Sequence, residues 1–169
     1  MTRPGRVLIL APMASELKPL VRLTRARRAD SGGIRLYRSR VGAVEVALTR
    51  IGIGPATARR ATERALRAVP MDHVVVTGIA GGLHPDLRVG RPVVPDTVLD
   101  LNSGASFPTA PLGATAGSGT VGVADRLITD GRLLADLLGR GVLALEMESS
   151  GVAVACAGAA LPLPVIRVI

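Results

Sequence analysis

His73-Val-Val-Val-Thr-Gly-Ile-Ala-Gly-Gly82 joins an unbroken apolar run to a glycine-rich bend, and its reading decides the fold. A β-branched run with no polar alternation suits a strand buried on both faces, as in parallel sheets covered by helices. Arg6-Val-Leu-Ile-Leu-Ala11 is a second run of the same kind. Between the two, a helix is expected from about Ser15, with Leu17, Leu20, Val21 and Leu23 on its apolar side. A turn at Ser31-Gly-Gly33 follows, then strands over 34–37 and 44–50 joined near Val41-Gly42. Pro55 suits a first helical turn, and Ala58, Ala61, Ala65 and Leu66 carry that helix to about Val69.

Beyond the bend, the stretch 91–99 contains a strand opened by Val89-Gly90. Residues 102–119, rich in Gly, Ser, Ala, Thr and Pro, read as a loop or mobile lid with little core of its own. Strands over 120–124, 142–145 and 163–169 then alternate with helices over 132–138 and 146–158. This alternation implies an α/β fold over 1–169 as a single domain, with a mixed central sheet flanked by helices. Ligands in such folds sit outside the carboxyl ends of the strands. Glu16, the glycines at 52–54 and 78–82, and the segments 125–128 and 146–148 all fall there.

Of the 169 residues, 48% are hydrophobic and 1% aromatic, so Val, Leu, Ile and Ala must build the core. The formal charge is +8, and Lys18 is the only lysine. Apart from Arg22, Arg25, Arg27 and Arg28 the arginines are scattered, with no aromatic residues interleaved for base stacking, which argues against a nucleic-acid partner. Cys156 stands alone among apolar neighbours, which suits a buried thiol in a reducing, cytoplasmic setting. The apolar run 7–11 is too short for a signal peptide. Gly158, Pro162, Pro164 and Arg167 break the longest apolar stretch, so no membrane span is expected.

Each motif has two readings. The cluster at 78–82 lets a ligand approach the backbone or simply turns the chain, and it is not the G-x-G-x-x-G fingerprint. Glu146 and Glu148 sit where a strand gives way to a helix, either as a carboxylate pair that raises its own pKa or as acids favoured by a helix dipole. Glu16 suits a general base or an ordinary first-turn acid. His73 and His84 are isolated, without metal-ligand spacing or a Ser/His/Asp set, so neither a metal nor a cofactor is expected.

Taken together, Ala11-Pro-Met-Ala-Ser-Glu-Leu17, Ile51-Gly-Ile-Gly54, the stretch from Thr77 to Gly90, Leu145-Glu-Met-Glu-Ser-Ser-Gly-Val-Ala153 and Leu163-Pro-Val-Ile-Arg-Val-Ile169 resemble the nucleoside phosphorylase and methylthioadenosine/S-adenosylhomocysteine nucleosidase superfamily. The resemblance implies a purine-nucleoside N-ribosyl hydrolase that forms a homo-oligomer. It makes Glu16 the catalytic residue that activates water. It sets Ala80 and Gly81 against the base, Met147 against the sugar and Glu148 on the ribose hydroxyls. Asp125-Arg-Leu-Ile128 resembles the segment lining the purine, with Ile128 offering backbone hydrogen bonds and Leu127 standing where the family stacks an aromatic. The first alternative is a phosphorylase, with Arg50 and Gly54 on phosphate; the second is a catalytically impaired nucleoside-binding remnant. In the family the last strand runs into Ser-Asp, whose aspartate protonates the purine. The sequence ends at Ile169, so the expectation is a domain lacking that acid, with Asp125 and Asp130 as conceivable substitutes.

Overall fold

The first apolar run forms β1 (Arg6–Ala11), flanked by two parallel partners, β4 (Val44–Arg50) and β5 (His73–Ile79). The structure is a computed structural model and describes residues 5–169. On its outer side β4 pairs antiparallel with β3 (Tyr37–Val41), which in turn pairs with β2 (Arg27–Arg28). On the other side β5 pairs parallel with β12 (Val165–Val168), and β12 pairs antiparallel with β7 (Pro92–Val93). The order of this seven-stranded sheet is therefore β2-β3-β4-β1-β5-β12-β7.

A second, five-stranded sheet adds to the single central one expected. Its members are β6 (Gly81–Gly82), β8 (Thr97–Asp100), β9 (Ser106–Pro108), β10 (Thr120–Val123) and β11 (Val142–Glu146), in the order β6-β11-β10-β8-β9. The chain leaves the first sheet at Ala80 and pairs at once with β11 through Gly81 and Gly82. The 91–99 stretch is likewise split, with β7 in one sheet and β8 in the other. Both sheets are mixed, and the α/β class stands.

The central strands are buried on both faces, as their composition requires. Leu8, Leu10, Val74 and Val76 are fully buried, under α2 (Pro55–Ala68) and α4 (Ser149–Gly158) through Ala58, Ala65 and Val152. Each Val or Leu so buried contributes about 1.5–3 kcal/mol before entropy is charged against it. Leu17 of α1 (Ala14–Leu23) covers Val46 and Leu48 in a second cluster. Gly151 lets α4 press against the start of α2, since a Cβ there would overlap the Pro55 carbonyl. The remaining helix, α3 (Gly131–Gly139), precedes β11. Among the described residues, no helix is long and apolar enough to cross a membrane.

Three sequence-based expectations shift. The stretch 34–36 is not strand: Ile34 bridges back to Ser31, Leu36 is a buried anchor, and β3 begins at Tyr37. The stretch 102–119 is not a bare lid, because β9 pairs with β8 and Phe107 packs against the main core. The Ala110 N–H also donates to the Leu163 carbonyl, at 3.0 Å. Finally, α4 begins at Ser149 rather than Glu146. Glu146 continues β11, and its carboxylate accepts the N–H groups of Glu148 at 3.0 Å and Ser149 at 2.8 Å, which holds 146–148 out of the helix.

Candidate functional site

The parallel strands bring their carboxyl ends to one rim. Glu16 reaches that rim from the first turn of α1. Its Oε2 accepts the Met13 N–H at 2.7 Å and its Oε1 the Ile79 N–H at 2.8 Å, so one carboxylate ties the start of α1 to the end of β5. The neighbouring Gly78 has no room for a side chain. A Cβ there would lie 2.6 Å from Glu16 Oε1 and would collide with Nη1 of Arg167.

Arg167 is the residue that sequence reasoning missed. It lies on β12 in register with Gly78 and is fully buried. Its Nη2 donates to the Glu146 carboxylate and, at 3.0 Å, to Ser149 Oγ; Glu148 Oε2 lies 3.5 Å away. Nε and Nη1 have no hydrogen-bond acceptor among the described residues. Arginine is almost never fully buried unless paired. In the sequence, Arg167 served only to break an apolar stretch; a lone charge inside a buried strand hinted that it is paired, but not with what.

Glu148 occupies the N-cap position of α4 without a side-chain bond to the helix, and is 4% exposed. Its Oε1 accepts the Gly54 N–H at 3.3 Å, a long bond that joins it to the 52–54 turn. Burial, and next the nearby Glu146 charge, push its carboxyl up from 4.5 to about 7, against the pull of Arg167 and the Gly54 N–H. Arg167 therefore stands between two acidic flanks. Glu146 and Glu148 face Nη2, and Glu16 lies beside Nη1 across Gly78.

Beside this centre lies a hollow of about 240 Å³, lined by Gly81, Leu127, Ile128, Leu134, Glu146 and Met147 among others. Four of the expected substrate-binding residues, Gly81, Leu127, Ile128 and Met147, meet there. Ala80 instead packs beneath, against the cluster of Val93, Val121 and Ala144. Glu16 and Glu148 do not line this hollow; Glu146 does, and Arg167 joins Glu146 to Glu148. Gly54 stands with Glu148. Arg50 faces a different hollow, which shares no lining residue with the first. Asp130 is engaged in capping α3, accepting the N–H groups of Arg132 at 2.8 Å and Leu133 at 3.1 Å, while Asp125 is exposed. Cys156 is buried in the apolar core, its thiol pushed up to about 12 by desolvation.

Fold and site define an α/β protein with a buried carboxylate–arginine–carboxylate centre beside a small, mostly apolar hollow. A sequence model described as "Phosphorylase superfamily" matches residues 6–135, and the chain belongs to that superfamily. It is 33% identical to a 5'-methylthioadenosine/S-adenosylhomocysteine nucleosidase of Hydrogenovibrio crunogenus, over 55% of this chain and 40% of that relative. It is 26% identical to the nucleosidase of the same name from Haemophilus ducreyi, over 97% of this chain and 84% of that relative. The first of these matches thus spans less than half of the relative's length.

Solved structures share the fold. A Helicobacter pylori nucleosidase variant with 5'-methylthioadenosine in its active site superposes with a TM-score of 0.84 at 20% identity, over 98% of this chain and 84% of that one. A futalosine hydrolase variant of the same organism gives 0.82 at 18% identity, over 100% and 91%.

Proposed function

We propose that this chain binds a purine nucleoside and hydrolyses its N-glycosidic bond, with 5'-methylthioadenosine or S-adenosylhomocysteine as the substrate class. The observation that carries the reading is Arg167, fully buried, with Glu146 and Glu148 on one guanidinium nitrogen and Glu16 beside the other. The nucleosidases among the relatives support the reaction, and the largely apolar hollow beside Glu146 supports binding of a flat aromatic base by its faces.

In this proposal the purine enters the hollow against Gly81, and the Ile128 backbone reads its polar edge. Met147 packs on the sugar and Glu148 accepts hydrogen bonds from the ribose hydroxyls, and in its ionised form, above about pH 7, its charge favours the oxocarbenium-like transition state. A water held by Glu16 and Arg167 Nη1 attacks C1'. The C1'–N bond breaks with its electron pair leaving on the base, which takes its proton from solvent water, while the new C1'–O bond forms and the proton of the attacking water passes to Glu16. The two unpaired nitrogens of Arg167 support this role, because buried donors ordinarily have an acceptor.

Phosphorolysis needs phosphate beside C1'. Arg50, its expected contact, faces a separate hollow, which favours water. The testing experiment is release of free base from methylthioadenosine in phosphate-free buffer and again with phosphate added. Hydrolysis gives equal rates and free methylthioribose. Turnover only with phosphate identifies a phosphorylase, and binding without release over hours identifies a nucleoside-binding remnant. The reading also carries a homo-oligomer, supported by Ile53, Ile79 and Leu127, which are respectively 53%, 59% and 81% exposed around the site. A monomeric mass by light scattering would contradict the oligomer.

A further inference from the structure

Arg50 does not stand alone. It lines a hollow of about 360 Å³ together with Arg35 and Arg64, which come from two other parts of the fold. Arg35 lies in the 29–36 segment, Arg50 ends β4 and Arg64 lies on α2. All three arginines are exposed, on backbone that the fold fixes. The Arg35 carbonyl accepts Thr49 Oγ1 at 2.9 Å, and the adjacent Leu36 is fully buried, so the segment is fastened to β4 beside the hollow. Arg64 follows Ala61 by three residues, which puts both on the α2 face that lines the hollow.

No carboxylate lines this hollow. Among the described residues, none of the three guanidinium groups has an ion-pair partner. The acids nearest in sequence are engaged elsewhere: Asp30 is paired with Arg28 at 2.6 Å and feels Arg35 only at longer range, Glu45 lies 3.9 Å from Arg40, and Glu63 is paired with Arg59 at 2.8 Å. Three like charges line one open hollow, and an anion with several acceptor oxygens could bridge them. Guanidinium forks match phosphate geometry, and the cavity is in the size range of small-molecule sites. Leu17, Ile34 and Tyr37 add an apolar wall, which suits a phosphate carried on a small organic body better than a bare ion.

We propose that this hollow is a binding site for a small phosphate monoester, separate from the nucleoside hollow and independent of the reaction proposed there. The test titrates the full chain with ribose 5-phosphate, and separately with inorganic phosphate, by calorimetry at low ionic strength. Wild-type protein is expected to bind the sugar phosphate saturably and more tightly than inorganic phosphate, with affinity falling as salt rises. R35Q and R64Q, both surface changes, are each expected to weaken binding roughly tenfold or more while leaving affinity for methylthioadenosine unchanged. Circular dichroism on both variants checks that the fold is retained. Absence of saturable binding, affinity indifferent to both substitutions, or displacement of the sugar phosphate by methylthioadenosine would each overturn the proposal. So would tight binding of an oligonucleotide to a protein that ignores the sugar phosphate. Methylthioadenosine hydrolysis is scored separately, so either reading can fail without the other.

Discussion

Replacing Glu148 with glutamine should change how stability depends on pH. Glu148 titrates near 7 in the folded chain, against an ordinary value of 4.5, because it is buried next to Glu146. Between those values the folded chain holds more protons than the unfolded one, so stability must fall as pH rises. The group is harmless below about pH 4.5. Its cost grows through the interval and is fully present above about pH 7. At 1.36 kcal/mol per pH unit, that interval amounts to about 3 kcal/mol. Glutamine keeps an oxygen for the Gly54 N–H and carries no charge. E148Q should therefore gain on wild type by roughly 2–3 kcal/mol between about pH 5 and about pH 8. Urea melts of both proteins at the two pH values measure the difference, in which groups common to both cancel. The reasoning fails if the two proteins keep a constant gap, or if wild type gains on E148Q as pH rises. The same substitution should weaken nucleoside binding, so the position would trade stability for function.

Other substitutions probe the remaining parts. E16Q is expected to lower kcat by roughly 10²–10⁴ with little change in nucleoside affinity, by steady-state kinetics and direct titration. R167M leaves Glu146 and Glu148 buried without their cation and should cost about 3–5 kcal/mol in denaturant melts; a variant as stable as wild type would contradict the ion centre. G78A drives a methyl group toward Arg167 and Glu16, so both stability and activity should fall, whereas G139A, at an unobstructed glycine, should affect neither. L127F places an aromatic ring beside the hollow and should tighten nucleoside binding up to roughly tenfold, by titration.

Much of the fold was legible because the central strands are buried on both faces, and Val7 to Leu10 and Val74 to Val76 therefore carry continuous apolar runs. The division into two sheets was not legible: the glycines at 78–82 and Pro95 mark breaks in the strands, but nothing local says that the chain changes sheet at Ala80 and again between Val93 and Thr97. Phe107 shows why composition misled over 102–119: one aromatic anchor outweighs many small residues. Within the candidate site, Gly81, Ile128 and Met147 were readable from their positions after strands. Arg167 was not, because its importance comes from sheet register with Gly78 and from carboxylates some twenty residues earlier on another sheet. Arg35 and Arg64 likewise look like ordinary surface charges until the fold sets them beside Arg50.

The central claim is that one nucleoside spans the hollow of Gly81 and Ile128 and the acidic centre around Arg167. A crystal structure of the chain soaked with methylthioadenosine tests it most directly. The account requires the ribose hydroxyls on Glu148, the base against Gly81 and Ile128, and C1' facing the gap between Glu16 and Arg167. A nucleoside bound elsewhere, or bound with its sugar turned away from Glu148, would contradict it.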